Sequence, residues 1–330
     1  MDDADAGVVI LIPLYNDWAA CRLLLDALAR ALDGPARVVL VDDGSTFNRP
    51  ADFCHDLPAR FERIEVLRLR RNLGHQRAIA VGLAHVWDHV PCQTVVLMDS
   101  DGEDDPADVP RLLARYAEVG GRSIVFAERS RRSESWTFVA FYRLYKGLHR
   151  LLVGMGVKVG NFSVLPRERL ESLVAVSELW NHYAAAVVKS RQPYVTLPTR
   201  RADRLAGKSR MDFVRLVAHG LSAISVFGDI IGVRLLVATL GLIALTVVGL
   251  ATTVFLRVAT DLPIPGWATS TFGLLTVILF QAVMLSIQFS FIVLGGRQGT
   301  SFLPCRDYAF YVAEVIELDR GPASGLNPAT

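Results

Sequence analysis

Two long stretches without a charged residue lie in the C-terminal third of the chain, and they constrain the fold more than any other feature. The first runs from Leu235 to Leu256, and the second runs from Leu262 to Gly296. About 20 apolar residues, each rising roughly 1.5 Å, are enough to cross the hydrocarbon core of a bilayer. The sequence therefore predicts a hairpin of two transmembrane helices, at about 233–256 and 267–294. A buried hairpin in a soluble core is the alternative interpretation.

The residues that flank these stretches predict their orientation. The linker 257–266 holds two prolines and two charges, which is typical of a short re-entry loop, so both outer ends are expected on one side. Basic residues concentrate at those outer ends, whereas the linker carries only Arg257. They are Lys208, Arg210, Arg215, Arg234, Arg297 and Arg306. The positive-inside rule then predicts a multi-pass protein of the inner (cytoplasmic) membrane, with its large N-terminal part on the cytoplasmic side.

The segment before the first charge-free stretch has its own pattern. Apolar residues from Phe213 to Phe227 recur at helical spacing, with most polar residues between them. This predicts an amphipathic juxtamembrane helix on the membrane surface, and an ordinary helix packed on the globular part is the alternative. The expected organisation is a cytoplasmic domain at 1–208, the juxtamembrane helix at 209–230, the two spans within 231–296 and a cytoplasmic tail at 297–330.

Apolar runs alternate with helical periodicity in the N-terminal part. Val8–Leu14 is apolar throughout, as expected for a strand that is covered on both faces. Further strands are predicted at 38–41, 64–69, 94–98 and 123–127, and helices at 18–32, 76–86 and 106–119. This alternation predicts a mostly parallel α/β sheet, whose ligands bind beyond the carboxyl ends of the strands.

Charge and cysteine content exclude two classes of protein. The formal net charge is only +2, so no nucleic acid is expected as a partner. The four cysteines are far apart and form no CxxC pair, which excludes a disulfide scaffold.

Two acidic clusters follow predicted strands directly. The first begins at Asp42-Asp43, and the second contains Asp99, Asp101 and Glu103. Side chains two residues apart point the same way if strand geometry continues, so Asp99 and Asp101 are expected to address one site. Carboxylates with open positions suit Mg²⁺ or Mn²⁺ that bridges phosphates. Solvated acidic turns that cap helices are the alternative.

The order of the motifs resembles a known family. They are Pro13-x-Tyr15-Asn16, then Asp42-Asp43-Gly44-Ser45, then Arg71-Asn72-x-Gly74 with Ala78, then Asp99-x-Asp101 with Glu103 and Pro106. This set resembles glycosyltransferase family 2 with the GT-A fold, a Rossmann-like domain with a mostly parallel sheet. With the two spans added, the chain resembles the polyprenyl-phosphate glycosyltransferases, which include dolichol-phosphate mannose synthase and the bacterial enzymes that make undecaprenyl-phosphate-glucose.

The resemblance implies a nucleotide-sugar site and a divalent cation. The residues expected at the nucleotide-sugar are Pro13, Tyr15, Asn16, Asp42, Asp43, Asn72, Gly74 and Asp99. Asp99, Asp101 and Glu103 are expected to hold Mg²⁺ or Mn²⁺. Relatives often have Gln at the position of Glu103, so the preference between these metals stays open.

The resemblance also implies a site for an acceptor phosphate. The stretch from Arg200 to Phe213 resembles the family's R-x-x-G-x-S-K-Y segment. The residues expected at the phosphate are Arg129, Arg204, Ser209 and Arg210, and Asp101, Arg129, Arg204 and Arg210 are the expected catalytic residues. A basic flank attracted to anionic lipid is the alternative for this stretch. No carboxylate occurs at 161–163, where many relatives carry an acidic residue, so no conventional general base is expected there.

Two further positions keep two interpretations each. His75 either lies near the diphosphate and sugar or only caps the following helix. Trp180, Asn181 and His182 either line the floor of the sugar pocket or belong to an aromatic core cluster.

The expected activity is inverting transfer of a sugar from a UDP- or GDP-hexose, with UDP-glucose favoured, to a polyprenyl phosphate in the lipid bilayer. The product would serve cell-envelope glycan synthesis or lipopolysaccharide modification. A non-catalytic membrane-anchored scaffold and a subunit of a processive polysaccharide synthase are the alternatives. Glycines in the first span, Gly232, Gly241 and Gly249, permit close helix packing and are compatible with a homo-oligomer.

Overall fold

The computed structural model of the chain describes most of the α/β part and both long C-terminal helices. The described residues are 7–50, 53, 57–129, 147, 154, 159–207, 220–260, 266–298 and 302–318. They divide into two compact units. The first unit comprises Met1–Ser135, Val157–Val226 and Ser301–Thr330, and the second comprises Trp136–Gly156 and Phe227–Thr300.

The first unit is built on one eight-stranded sheet with the order β7-β5-β6-β4-β1-β2-β3-β8. The strands are β1 Val8–Leu14, β2 Ala36–Asp42, β3 Phe61–Leu69, β4 Thr94–Leu97, β5 Ile124–Arg129, β6 Ser163–Pro166, β7 Tyr194–Thr199 and β8 Val312–Glu317. β1 pairs in parallel with β2 and β4, β2 with β3, and β5 with β7. The pairs β4–β6, β5–β6 and β3–β8 are antiparallel.

Helices cover both faces of this sheet. In the first unit they are α1 Trp18–Ala31, α2 His75–His89, α3 Asp108–Glu118, α4 Arg167–Val174, α5 Tyr183–Lys189 and α8 Pro304–Asp307. The second unit contains α6 Gly228–Ala259 and α7 Trp267–Gln298. Two short 3-10 helices occur at Ser177–Trp180 and Tyr308–Tyr311. The mostly parallel sheet and the pair of long apolar helices confirm the predicted α/β fold class.

The side chains of β1 alternate between two buried cores. Val9 and Leu11 pack in the core that contains α2, whereas Ile10 and Ile12 pack in the core that contains α1. Both faces are therefore buried, which explains why the strand is apolar throughout. Gly82 of α2 lies so close to the sheet that a Cβ atom there would stand 2.6 Å from Cγ2 of Val41.

Three strands were not predicted from the sequence. β6 has only four residues, and β7 lies at one edge of the sheet. β8 lies within the region expected as a tail and pairs antiparallel with β3, with Glu317 opposite Glu65. Residues 302–318 thus close the other edge of the sheet, rather than forming a simple extension of the second long helix.

The strand order brings several loops to one edge. β1, β2, β3 and β4 are parallel, so the loops that follow them meet there. β6 runs the other way, with Ser163 opposite Leu97, so the residues just before β6 reach the same edge. β5 and β7 end there too, at Arg129 and Thr199. This edge is where ligands of open α/β sheets bind.

The second unit contains an antiparallel pair of helices. Gly232 of α6 lies beside Val293 of α7, and Gly249 lies beside Leu275. The buried residues of α6 recur every seven positions and are Gly232, Thr239, Thr246 and Thr253. The hydroxyl of Thr246 donates to the carbonyl of Leu242 at 2.7 Å, so the buried polar group is satisfied within its own helix.

Both helices are long and apolar enough to cross a membrane. Only 11% of the most apolar 18-residue window of each helix is buried. A core helix of a soluble protein would be mostly buried, so the predicted alternative of a soluble hairpin is disfavoured. Of the predicted juxtamembrane helix, residues 208–219 lie outside the described part of the chain, and residues 220–225 are helical.

Arg167 holds the C-terminal end of α2 in place. Its guanidinium group donates to the carbonyls of Val86 at 2.9 Å and Val90 at 3.1 Å, and also to the carbonyl of Trp87. The carbonyl of Val86 also accepts from the backbone N–H of Val90 at 3.1 Å, so Arg167 adds a second bond there and supplies donors to the carbonyls at the end of the helix.

We expect Arg167→Ala to lower the free energy of unfolding by about 3 kcal/mol, because it removes several charge-assisted hydrogen bonds from partly buried carbonyls. Thermal unfolding of the detergent-solubilised protein measures this. Arg169→Ala is the matched control, since Arg169 makes one exposed bond, to the carbonyl of Arg122 at 2.9 Å. Equal losses in the two variants would contradict the assignment.

Candidate active site

The loop after β2 is joined to the loop before α2 by a buried carboxylate. Asp43 is 3% exposed, and its two oxygens accept from the backbone N–H groups of Leu73 at 2.7 Å and Gly74 at 2.9 Å. Gly44 follows with a φ of 64°, and a Cβ atom there would lie 2.6 Å from the backbone of Arg71. Asp43, expected at the nucleotide-sugar, therefore uses its carboxylate to position the two loops.

Burial raises the pKa of Asp43 to about 6, although the hydrogen bonds from Leu73 and Gly74 and the charge of His75 act in the opposite direction. The backbone of Gly74, with a φ of 93°, then begins α2. The close approach of the two loops thus depends on the carboxylate of Asp43 and on the backbone conformations of Gly44 and Gly74.

Asn16 shapes the neighbouring part of the same edge. Its side-chain oxygen accepts from the backbone N–H groups of Thr46 at 2.9 Å and Phe47 at 3.0 Å, and its own N–H donates to the hydroxyl of Ser45 at 2.9 Å. Its backbone has a φ of 54°, and asparagine tolerates this left-handed conformation better than most residues. Tyr15, directly before it, is 37% exposed and so accessible to a ligand.

The other residues expected at the nucleotide-sugar surround these loops. Pro13 lies in β1 opposite Val41, and Asp42 ends β2. Asp42 accepts from the backbone N–H of Ser45 at 2.9 Å. Asn72 is exposed on the loop before α2. The structure therefore brings all of the predicted nucleotide-sugar residues to the carboxyl edge of the sheet.

The second acidic cluster forms a tight turn after β4, which we call the acidic loop (residues 99–104). The carboxylate of Asp104 accepts from the N–H of Asp99 at 3.1 Å, and that of Asp101 accepts from the N–H of Glu103 at 3.0 Å. Gly102 has a φ of 79°, and the side chain of Leu205 occupies the place that a Cβ atom would need.

Two arginines of the segment after β7 contact the acidic loop. We call this segment the arginine segment (residues 201–207). Arg204 donates to Asp101 at 3.0 Å and also bonds the carboxylate of Asp17. Arg201 pairs with Glu103. Arg204 and Asp101, both expected catalytic residues, therefore contact each other, while Asp17 and Arg201 were not predicted from the sequence.

His75 lies at the N-terminus of α2, beside the acidic loop. Its Nε2 atom is 3.1 Å from an oxygen of Asp99 and 3.0 Å from the amide nitrogen of Asn161. Partial burial disfavours the charged imidazolium form of His75. The negative charges of Asp99, Asp43 and Asp101 outweigh this effect, so the pKa of His75 is raised. His75 thus contacts Asp99, one of the predicted site residues, and this favours the interpretation that it lies near the diphosphate and sugar.

Asn161 connects His75 to a buried side chain. Its amide oxygen accepts from Gln76 at 3.1 Å, and the oxygen of Gln76 in turn accepts from the backbone N–H of Tyr183 at 2.7 Å. Gln76 is 8% exposed. The amide of Asn161 therefore occupies the position at which many members of the resembling family carry a carboxylate. Through Gln76 and His75 it orients the start of α2.

The oxygen donors of the acidic loop suit a hard divalent cation by their chemistry. In this conformation the carboxylates of Asp101 and Glu103 contact arginines instead. Among the described residues, no group of three His, Cys, Asp or Glu side chains is arranged to hold a metal ion. The donor set therefore fits a cation in its chemistry but not in its arrangement in this structure.

The remaining predicted site residues have different outcomes. Arg129 ends β5 at the carboxyl edge. Ser209 and Arg210 lie outside the described residues. Trp180 packs against Phe302 and Tyr311, with ring centroids 3.9 Å and 5.0 Å away, which favours the interpretation as an aromatic core cluster.

Two residues that sequence reasoning missed, Asp17 and Arg201, lie within three positions of predicted ones. Asp17 follows Asn16 directly, and Arg201 lies three residues before Arg204. Their closeness in sequence to predicted residues is only a weak signal of a role in the site. The folded chain is needed to show that the segment after β7 contacts the acidic loop.

An acidic loop and basic side chains therefore meet at the carboxyl edge of a mostly parallel α/β sheet. The sequence model of glycosyl transferase family 2 matches residues 9–174, half of the chain, and the chain belongs to this family.

Individual proteins are similar over most of the chain. The undecaprenyl-phosphate 4-deoxy-4-formamido-L-arabinose transferase of Enterobacter sp. (strain 638) is 25% identical over 294 residues, which cover 84% of this chain and 83% of that protein. The uncharacterized glycosyltransferase YkcC of Bacillus subtilis (strain 168) is 22% identical over 324 residues, covering 92% of each.

Solved structures are similar at lower identity. Glucosyl-3-phosphoglycerate synthase from Mycobacterium tuberculosis, in complex with Mn²⁺, UDP and glucosyl-3-phosphoglycerate, has a TM-score of 0.48 and 16% identity, and the match covers 70% of this chain and 81% of that one. A mannosyltransferase from Pyrobaculum calidifontis, in complex with GDP-Man and Mn²⁺, has a TM-score of 0.43 and 17% identity, with coverage of 90% and 88%.

The raised pKa of Asp43 predicts a pH dependence of stability. Between pH 3.8 and about 6 the folded protein holds the Asp43 proton while the unfolded chain releases it, so the contribution of Asp43 to stability falls as pH rises through this window. The free energy of unfolding of the wild type minus that of Asp43→Asn should therefore fall over the same pH window and then level off. Thermal unfolding across this pH range measures it. Asp33→Asn, at an exposed aspartate, is the control. A difference that does not change with pH would contradict the prediction.

Proposed function

We propose that this glycosyltransferase moves a sugar from a nucleotide-sugar to a membrane polyprenyl phosphate and inverts the anomeric carbon. The observation that carries the proposal is the acidic loop with Arg204 beside Asp101, at the edge where the predicted nucleotide residues meet. A cation site and a phosphate-binding arginine are what a diphosphate leaving group and a phosphate acceptor require.

The acceptor is supported by the relatives and by the second unit. The Enterobacter relative, which is named for undecaprenyl phosphate, matches 84% of this chain. The match extends past the family region at 9–174 and takes in much of the C-terminal half. α6 and α7 provide a membrane anchor that fits a lipid-linked acceptor.

The donor side assigns roles to the residues at the edge. Tyr15 and Asn16 would contact the base and ribose, and Asp99, Asp101 and Glu103 would hold Mg²⁺ or Mn²⁺ against the diphosphate. Such a cation stabilises the charge that develops on the leaving group. UDP-glucose is the donor that we favour, and the product would serve cell-envelope glycan synthesis or lipopolysaccharide modification.

The chemistry of the proposed acceptor would account for the lack of a carboxylate at 161–163. A phosphate monoester has a second pKa near 6, so it is already an oxyanion at neutral pH. The enzyme then needs to position this oxyanion and to offset charge rather than to remove a proton. Arg204, with Arg129, Ser209 and Arg210, would hold the acceptor phosphate.

We expect Asp99→Asn and Asp101→Asn each to reduce sugar transfer by about 100-fold or more, comparable to the loss of one preorganised electrostatic contact. The assay mixes purified protein in detergent with radiolabelled UDP- and GDP-sugars, undecaprenyl phosphate and Mg²⁺ or Mn²⁺, and counts the organic phase.

The control for these variants is Asp105→Asn, because Asp105 accepts from the N–H of Ala107 at 2.9 Å and does not contact the arginine segment in the described structure. A chelator should abolish the counts and added metal should restore them. Near-native transfer by both Asp99→Asn and Asp101→Asn would refute the metal site. Nucleotide binding without transfer from any donor would favour the non-catalytic scaffold.

We further propose that both long helices span the inner membrane with the first unit in the cytoplasm. A cysteine introduced as Thr260→Cys, at the end of α6, should then react with a membrane-impermeant maleimide in right-side-out vesicles. The wild type, whose cysteines all lie on the expected cytoplasmic side, is the control and should react only after permeabilisation. Labelling of the wild type in sealed vesicles, with no additional labelling in Thr260→Cys, would reverse the proposed orientation.

A further inference from the structure

The arginine segment is docked on the acidic loop along its backbone as well as through its side chains. The N–H of Ala202 donates to the carbonyl of Glu103 at 3.0 Å, and the N–H of Leu205 donates to the carbonyl of Asp101 at 3.0 Å. Asp104 and Arg201 form an antiparallel bridge. The segment is thus held against the loop by one β-bridge and two backbone hydrogen bonds.

This docking places two guanidinium groups where a cation would bind. Arg204 contacts Asp101 and Arg201 contacts Glu103, and both carboxylates are expected cation ligands. The side chains of Asp101 and Glu103 are only 18% and 13% exposed, so water screens these contacts weakly. A divalent cation that approaches the same oxygens must compete with two arginines that are already in place.

The pairing of Arg201 leaves part of its hydrogen-bonding capacity unused. Its Nε–H is buried and has no hydrogen-bond acceptor among the described residues. A guanidinium group offers five N–H donors in a planar fork that matches phosphate oxygens. Arg201 is therefore able to form a better set of hydrogen bonds with a phosphate than it forms with Glu103 alone.

We propose that Arg201 and Arg204 are internal counter-ions of the acidic loop that exchange partners when the donor binds. The cation takes Asp101 and Glu103, and the released guanidinium groups turn to phosphate oxygens. Arg201 acts as a positioning residue that sets how strongly the loop binds a cation alone. This inference rests on the proposed function, because it takes the acidic loop to be the site of the cation and the diphosphate.

The exchange predicts that cation and nucleotide bind together. A cation alone separates Arg201 from Glu103 and leaves Arg204 with Asp17 as its carboxylate partner, so it should bind weakly. A cation that arrives with a diphosphate brings an anion for Arg201, and it gives Arg204 a phosphate partner until the acceptor phosphate binds. The coupling is reciprocal, so the nucleotide strengthens cation binding by the factor by which the cation strengthens nucleotide binding.

Mn²⁺ binding to the full detergent-solubilised chain tests this, with free Mn²⁺ followed by electron paramagnetic resonance. Titrations use Mn²⁺ alone, then Mn²⁺ with UDP or with GDP. We expect Arg201→Gln to lower the Kd for Mn²⁺ alone by about tenfold. The factor by which nucleotide strengthens Mn²⁺ binding should fall by a similar amount. Arg200→Gln removes the same charge one residue away, at an exposed position, and should leave both values unchanged.

Two more variants separate the exchange from a loss of structure. Arg201→Lys keeps the charge and should stay close to the wild type in its affinity for Mn²⁺ alone. Arg204→Gln removes the other counter-ion and should also tighten Mn²⁺ binding, so the result does not depend on one variant folding. Thermal unfolding of each variant identifies those that fold.

The outcomes distinguish this inference from the proposed function. If UDP or GDP binds with Mn²⁺ but Arg201→Gln and Arg204→Gln have the same Mn²⁺ affinity as Arg200→Gln, the exchange is overturned and the proposed function stands. If neither nucleotide binds at saturating Mn²⁺, the proposed function fails and the exchange fails with it.

Discussion

Several carboxylates lie at one edge of the sheet, and each needs a partner that offsets its negative charge. The rest of the site depends on how these partners are supplied. Removing a charge from water without such a partner is costly. Asp43 is satisfied by two backbone N–H groups, Asp101 by Arg204, and Glu103 by Arg201. The close approach of the loops after β2 and β3, and the path of the chain after β7, both provide these partners.

The layers of the sheet were predictable because their signals are local. Val8–Leu14 is apolar at every position, and α2 has its apolar residues at helical spacing, so each element can be recognised from a few neighbouring residues. The location of the acidic loop followed from a second general rule, that parallel strands end at a common edge where ligands bind. The two charge-free stretches were equally informative, because length and the absence of charge suffice for that prediction.

The strands and partners that were missed depend on contacts between distant parts of the chain. β8 pairs with β3, whose residues lie about 250 positions earlier, and its side chains are mostly exposed, so it carries no strong apolar pattern. Asp42 and Asp43 look alike in sequence, yet successive strand residues point to opposite faces. One therefore caps its own loop, while the other turns toward Leu73 and Gly74.

The amide at Asn161 fits the same requirement for charge balance. A carboxylate at this position would add a further negative charge beside Asp99, which already lies 3.1 Å from His75. The amide keeps the contacts to His75 and Gln76 and adds no charge. For the proposed acceptor, which reaches the enzyme as an oxyanion, another anion at this edge would oppose binding. Counter-charges are then worth more to the reaction than a base, and Arg204 would place positive charge where both the donor and the acceptor need it.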